Sequence, residues 1–351
     1  MPETVLLTGI TGFVGLHCAA ECLRNGYAIK GTLRDLSRRD EVFEILEKEV
    51  PGSTSAITLC EADLLKDDNW DDIAEGCALA MHIASPFETH PPKNERDLIE
   101  PAVEGTLRVL KAAAKAGIRR VVLTSSMVAV WYGHPPRRYA PFTEQDWTNP
   151  DGRTVSAYTK SKTLAEINAW DFIKSPEANG MELSVINPGV IFGPNLGSQT
   201  SASAEMIIQL MNGTMPGVPR LGYAAVDVRD VAYAHVKALF VPEAADSRFL
   251  CAIDHVWWRE IAQVLQAHFS RRGYKIPTNV LPDVIPKALA IVRKDVRAVL
   301  RDLGAERHID NAHIRNVLGW EPRILDEMVV AMAESLIAQG HIKTPKKKKA
   351  A

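Results

Sequence analysis

A tyrosine, a lysine and two serines in the middle of this chain are of types that could carry a proton to a carbonyl oxygen. Tyr158 and Lys162 stand in "SAYTKSKTLAE", and a spacing of four on a helix puts both on one face. Ser125 and Ser126 close the apolar run in "VVLTSSMVAV". A carbonyl that takes up hydride becomes an alkoxide and must be protonated, which a phenol at the oxygen can do as general acid. Free tyrosine titrates near pH ~10, too high to cycle easily at neutral pH. A nearby ammonium favours the phenolate and lowers that value, and Lys162 is expected to act on Tyr158 in this way. The serines do not read as hydrolase nucleophiles, because no GxSxG elbow surrounds them.

Hydride needs a carrier, and "VLLTGITGFVG" at residues 5–15 points to where one sits. A dinucleotide pyrophosphate requires a tight turn, a backbone without Cβ at closest approach and a helix N-terminus for its charge. Gly9, Gly12 and Gly15 meet those needs with GxxGxxG spacing, in place of the general GxGxxG. Thr8, Thr11, Phe13 and Val14 share the turn and are expected to line the cofactor with them. The next apolar run ends in "AIKGTLRDLSRRD". An NAD site would place a carboxylate there for the ribose 2′-hydroxyl, and an NADP site an arginine for the 2′-phosphate. Arg34 follows directly on Thr32 and Leu33, with Arg38 and Arg39 one turn further. NADP(H) is therefore the expected cofactor, bound through Arg34 and Arg38, while Asp35 is expected to cap the following helix.

These residues must be carried by alternating strands and helices. Apolar runs at 4–8, 28–33, 56–60, 78–84, 118–125 and 182–187 read as strands. Helical patterns at 13–25, 39–50, 67–75, 95–116 and 155–173 separate them. Such alternation implies an α/β fold, a Rossmann-type doubly wound parallel sheet with helices on both faces. The near-continuous apolar strands fit a sheet buried on both sides. After Pro188 the pattern loosens into glycine- and proline-rich loops, with helical patterns from Val256 to Gln339. We divide the chain into an NADP-binding domain at 1–190, rejoined by 224–241, and a smaller, mostly helical substrate lobe at 191–223 and 242–343. Residues 344–351 read as a disordered basic tail.

Composition narrows the partners. Lysine and arginine number 41 against 43 acidic residues, a formal charge of −2, so nothing global points to nucleic acid or an anionic membrane. The one local excess is Lys346, Lys347, Lys348 and Lys349, which reads as a solvated tail. No stretch approaches the roughly 20 apolar residues of a membrane span. The N-terminal Met-Pro-Glu-Thr shows no signal-peptide pattern. Cys18, Cys22, Cys60, Cys77 and Cys251 form no CxxC, and no metal-ligand spacing is present. A reduced, cytoplasmic protein without a metal, acting on a small molecule as a monomer or homodimer, is expected.

The glycine turn, "VVLTSSMVAV" and YxxxK in this chain order resemble an extended short-chain dehydrogenase/reductase. Within that family the sequence is similar to the dihydroflavonol reductase, cinnamoyl-CoA reductase and yeast-type aldehyde/ketone reductase group, through "TLRD", "HIASPF" and "YTKSK". The resemblance implies that Ser126, with Ser125 as the alternative, holds the substrate oxygen, and that Lys162 also binds the nicotinamide ribose. It further places Asp63 and Leu64 beside the adenine, and Ala84 and Ser85 beside the ribose. Thr124 falls at the strand end, and Pro188, Gly189 and Val190 at the carboxamide. Phe87, Met127, Val128, Trp131, Ile191 and Tyr223 would face the substrate. They are mostly apolar, which suits an aromatic or aliphatic carbonyl compound. One departure is Glu104, where many relatives have asparagine. The implied activity is reversible NADPH-dependent reduction of an aldehyde or ketone. A nucleotide-sugar epimerase-type enzyme and a non-catalytic NADP-sensing protein are the alternatives. Against the first, the second strand lacks the acidic end that epimerases usually keep for NAD, and Ser126 is not followed by the acidic pair that related dehydratases need; the second would not need Tyr158 and Lys162.

Overall fold

The computed structural model describes residues 2–85, 94–135, 138–152 and 155–345. Phe87 and the lysines of the tail lie outside the described residues. In chain order the elements are β1 (Thr4–Thr8), α1 (Phe13–Arg24), β2 (Ala28–Leu33), α2 (Arg39–Glu49), β3 (Ile57–Glu61), α3 (Trp70–Ala74), β4 (Leu79–His82), α4 (Arg96–Lys115), β5 (Arg120–Thr124), α5 (Ala157–Ile173) and β6 (Glu182–Pro188). There follow β7 (Val190–Phe192), α6 (Ala202–Met211), β8 (Gly222–Asp227), α7 (Val228–Phe240), β9 (Ser247–Cys251), β10 (His255–Trp257), α8 (Trp258–Phe269), α9 (Val284–Val292), α10 (Lys294–Val299), α11 (Ala312–Leu318) and α12 (Leu325–Ala338). No described helix is long and apolar enough to cross a membrane.

The chain divides into two compact units, one of Met1–Pro188, Arg229–Cys251 and Asp310–Glu321, the other of Gly189–Val228, Ala252–Ile309 and Pro322–Ala351. The first holds a parallel sheet in the order β3-β2-β1-β4-β5-β6-β9. Its inner strands are buried on both faces, with all four residues of β4 buried, as a sheet covered on both sides requires, while the edge strand β3 keeps Thr58 and Glu61 exposed. Thr8 lies opposite Thr32 on one neighbour and His82 on the other, so the polar ends of β1, β2 and β4 fall at one edge. α4 packs a stripe of small residues, among them Ala102, Gly105, Ala112 and Ala113, into the core.

The expected division changes in three places, one being Asp310–Glu321, which with α11 belongs to the first unit and not to the substrate lobe. Residues 224–227 belong to β8, which pairs with β7 and β10 in a three-stranded sheet of the second unit. The chain rejoins the first unit only with α7, and β9 then supplies the seventh strand. Four of the five residues of β9 are buried, and its backbone ladder with β6 pairs what would otherwise be an exposed edge. In the second unit α6, α8 and α12 bury Ile207, Leu210, Leu265, Phe269, Met328 and Met332.

Candidate active site

The strand order reverses between β1 and β4, which opens a crevice at their carboxyl ends. Gly9, just past β1, has φ +73°, and a Cβ there would press on Ala84 at 3.0 Å; glycine adopts this left-handed region without penalty. A Cβ on Gly15 would overlap the carbonyl oxygen of Gly9. The amide of Gly12 donates to that same oxygen at 3.0 Å. The end of β2 is tied to the turn, since Gly9 N donates to Thr32 Oγ1 at 3.3 Å and Ile10 N to the Thr32 carbonyl at 3.1 Å. Gly12 caps α1 without a side-chain hydrogen bond, and the first turn has no acidic residue. The helix start therefore keeps N–H donors and a positive dipole end that no side chain of the cap answers. A cradle too tight for Cβ atoms, ending on an open helix start, fits a dinucleotide pyrophosphate.

Thr11, Phe13 and Val14 lie half-buried around this turn. Thr8 is different: it is fully buried, and its hydroxyl accepts from the amides of Ile83 and Ala84 at 3.1 Å each and meets His82 Nδ1 at 2.8 Å. It pins the end of β4 to β1. Burial, reinforced by Lys162, holds His82 down at about 3, so its ring is neutral. Beyond β2, Arg34 is exposed and makes no ion pair among the described residues, whereas Arg38 is paired with Glu41 at 2.8 Å. Asp35 accepts from the Ser37 amide at 2.8 Å and caps the short turn Leu36–Arg38, as its position in the sequence predicts.

β5 ends in Thr124, and the backbone then turns away through a 3₁₀ turn, Met127–Ala129, that Ser126 caps. α5, capped by Ser156, places Tyr158 and Lys162 one turn apart. The side chains of Ser126 and Tyr158 are hydrogen-bonded. Ser125 is buried and donates to Glu166 Oε2 at 2.5 Å, so of the two adjacent serines it is Ser126 that meets the phenol. Tyr158 keeps 36 % of its surface open. The protein around it still pushes the phenol above its ordinary value, and the Ser126 hydrogen bond opposes that shift. The expected lowering by Lys162 is therefore not what this geometry gives. Burial acts on the lysine too and brings it down to about 8, against a rise from the Glu166 carboxylate.

The remaining residues fall as follows. Asp63 accepts from the Leu65 amide at 3.0 Å, and Leu64 is buried in contact with α4 near Gly105. Ala84 and Ser85 follow β4 and are half-buried. The Thr124 hydroxyl meets Nε2 of the buried His235 at 2.7 Å. Nδ1 of that ring faces the Val231 carbonyl at 2.8 Å, which makes Nδ1 the donor and leaves Nε2 to accept from Thr124. Pro188 ends β6 in the first unit; Gly189, Val190 and Ile191 open the second. Among the substrate candidates, Met127 at 1 % exposure, inside the 3₁₀ turn, and Trp131 at 5 %, just after it, are buried, while Val128 keeps open surface. Ile191 and Tyr223 are half-buried in the second unit, where Tyr223 donates to Asp302 Oδ2 at 3.2 Å. Sequence reasoning missed Glu166, Asn187, Arg248 and His235. The only local signal was an acidic residue four past Lys162 on a helix.

This strand order, a glycine turn at the switch point and a serine bonded to the tyrosine of a YxxxK helix define an extended short-chain dehydrogenase/reductase. The chain belongs to the NAD dependent epimerase/dehydratase family, whose sequence pattern matches residues 5–251. It is 33 % identical over 306 residues to cinnamoyl-CoA reductase 1 of Petunia hybrida, covering 87 % of each chain. It is 30 % identical over 346 residues to tetraketide alpha-pyrone reductase 1 of Arabidopsis thaliana, covering 97 % of each. Among solved structures it is similar to the yeast methylglyoxal/isovaleraldehyde reductase Gre2 complexed with NADPH, with a TM-score of 0.79 and 25 % identity over 97 % of this chain and 100 % of that one.

Proposed function

We propose that this oxidoreductase reduces an aldehyde or ketone to the alcohol with NADPH, and runs the reverse reaction with NADP⁺. What supports the reading most is the Ser126–Tyr158 hydrogen bond on the helix that carries Lys162. Gly9, Gly12 and Gly15 with the start of α1 would hold the pyrophosphate, and Arg34 the 2′-phosphate. When bound, NADPH supplies the hydride. Ser126 holds the substrate oxygen by a hydrogen bond, and Tyr158 gives its hydroxyl proton to that oxygen as the carbon is reduced. Lys162, charged, steadies the phenolate that results until a proton returns from solvent. The phenol's raised value keeps Tyr158 protonated at neutral pH, which is the form a reductase needs. After Ser126 stand Met127, Val128 and Ala129, which offer no acid–base pair for elimination from a sugar nucleotide. Cinnamoyl-CoA reductase 1, tetraketide alpha-pyrone reductase 1 and the methylglyoxal/isovaleraldehyde reductase Gre2 are reductases by their names, and aliphatic and aromatic aldehydes and ketones are the proposed substrates here.

The test is NADPH consumption with a panel of such carbonyls, run in parallel with NADH. Turnover with at least one aldehyde or ketone is expected, and none with any of them would overturn the reading. Arg34→Ala is expected to weaken NADPH binding roughly 10- to 100-fold, the loss of a charge-assisted hydrogen bond, while leaving NADH binding near wild type. An unchanged preference would remove Arg34 from the site. The pH dependence has a definite sign. Lys162 is protonated below about 8 and neutral above it, so kcat/KM for reduction should be level on the acid side of that value and fall on the alkaline side. A rate that climbs there would exclude a role for the lysine's charge.

A further inference from the structure

Beneath Ser126, Tyr158 and Lys162 lies a buried polar knot that the proposed reaction does not use. Glu166, one helical turn past Lys162 on α5, is 1 % exposed, a burial that a carboxylate tolerates only with partners. Its Oε1 accepts from Nε of Arg248 on β9 at 2.6 Å. Its Oε2 accepts from the Ser125 hydroxyl at 2.5 Å and from Nδ2 of Asn187 on β6 at 2.8 Å. Asn187 Nδ2 also reaches the main-chain carbonyl of Ser126 at 3.3 Å. Arg248, 8 % exposed, is held in turn. Its Nη1 donates to the carbonyls of Glu144 and Asp146 at 2.6 and 2.9 Å, and its guanidinium lies 3.7 Å from the ring centre of Trp147.

Helix α5, the end of β5, the end of β6 and β9 thus meet at one carboxylate. Two of these pieces carry the reactive set: β5 leads directly into Ser126, and α5 bears Tyr158 and Lys162. Apolar packing holds a helix against a sheet but leaves small slides along it inexpensive, whereas directional hydrogen bonds in a dry site fix one register. Catalytic geometry is sensitive to such slides at the level of about 1 Å. We propose that Glu166, clamped by Arg248, is a positioning residue that sets Ser126 against Tyr158 and sustains the charge of Lys162. The proposal rests on the reading of those three residues as the reactive set. The groups acting on Lys162 are consistent with it. Glu166 is the carboxylate that favours its charged form, His82 on β4 is neutral, Tyr158 on its own helix is protonated, and α4, packed against α5, buries no ionisable side chain.

The test compares wild type with Glu166→Gln and with Glu166→Gln/Arg248→Met. The single variant leaves a buried arginine unpaired, and the double variant removes that burden with a side chain of similar volume. Three readouts are taken: thermal melting, turnover of NADPH with isovaleraldehyde as probe, and competitive acetylation of Lys162 against pH in cofactor-free protein. The double variant is expected to melt near wild type and to lose kcat by about tenfold or more. Its Lys162 labelling midpoint is expected to lie about one pH unit lower. A double variant with wild-type kcat and an unmoved midpoint would show the pair to be packing alone and overturn the proposal. Should both variants fail to fold, Ser125→Ala decides on the same readouts, since it releases one of the three partners of the carboxylate; several-fold loss of kcat supports the proposal and wild-type kcat overturns it. Tyr158→Phe is run beside them. Wild-type turnover in that variant would overturn the assigned reaction, while the labelling of Lys162 would still decide on Glu166.

Discussion

Tyr158→Phe is expected to lower kcat for carbonyl reduction by roughly 10²- to 10⁴-fold, the usual contribution of a placed general acid, with NADPH affinity close to wild type. The substitution removes one oxygen from a ring that is already in place on α5 and hydrogen-bonded to Ser126, so the cradle at Gly9–Gly15 is left as it was. NADPH oxidation measures the first effect, and fluorescence titration of the cofactor the second. The combination is diagnostic. Loss of both would mean that the tyrosine supports the fold of the site, and loss of neither would mean that the proton comes from elsewhere. Because Ser126 retains its hydroxyl and Lys162 its charge in this variant, the residual rate reports what holding the oxygen achieves without a proton donor.

The second large effect is expected at Gly15→Ala. The new Cβ would overlap the carbonyl oxygen of Gly9, a backbone atom that cannot swing aside as a side chain does. That oxygen also receives the Gly12 amide at 3.0 Å, so the turn must open as a whole. Overpacking of this kind costs about 1–3 kcal/mol of stability, visible as a lower melting temperature. The larger consequence falls on binding, since the turn and the first amides of α1 can no longer converge on one phosphate. NADPH affinity is expected to drop at least about 100-fold, several hydrogen bonds to a charged group being lost together. Wild-type affinity in this variant would mean that the pyrophosphate does not lie on the turn.

Local sequence carried much of the first unit. The apolar runs at 4–8 and 28–33 coincide with β1 and β2, since a strand buried on both faces writes an unbroken apolar run. The glycine turn and YxxxK were legible because each depends on spacing within one or two turns of chain. β9 was not read, although "SRFLC" is apolar, because a five-residue run set among helical patterns has no period of its own. The short β7 and β10 escaped for the same reason, while the run at 224–227, assigned with the helix after it to the first domain, is part of β8 in the other sheet. Arg34 is expected in the site from the strand end before it, but the burial of Met127 and Trp131 could not be read, since the 3₁₀ turn and the segment after it give no periodic signal. The partners of Glu166 lie 21, 41 and 82 residues away, distances at which only the closed sheet brings them together. The net direction of Tyr158 was misjudged because burial, which no local sequence shows, raises the phenol where a neighbouring ammonium alone would lower it.

The late arrival of β9 also bears on how the molecule is made. Vectorial synthesis delivers β1 to β6 first, then runs through 189–228, which belongs to the other unit, before the last strand of the sheet and its arginine emerge. Until then β6 presents an open edge, a template for unwanted pairing, and Glu166 sits in a nascent core without its cation. The first unit is not fully translated until residue 321. Folding one domain after another as each leaves the ribosome, the common course for multidomain chains, is therefore closed to this topology: both units must be finished nearly together.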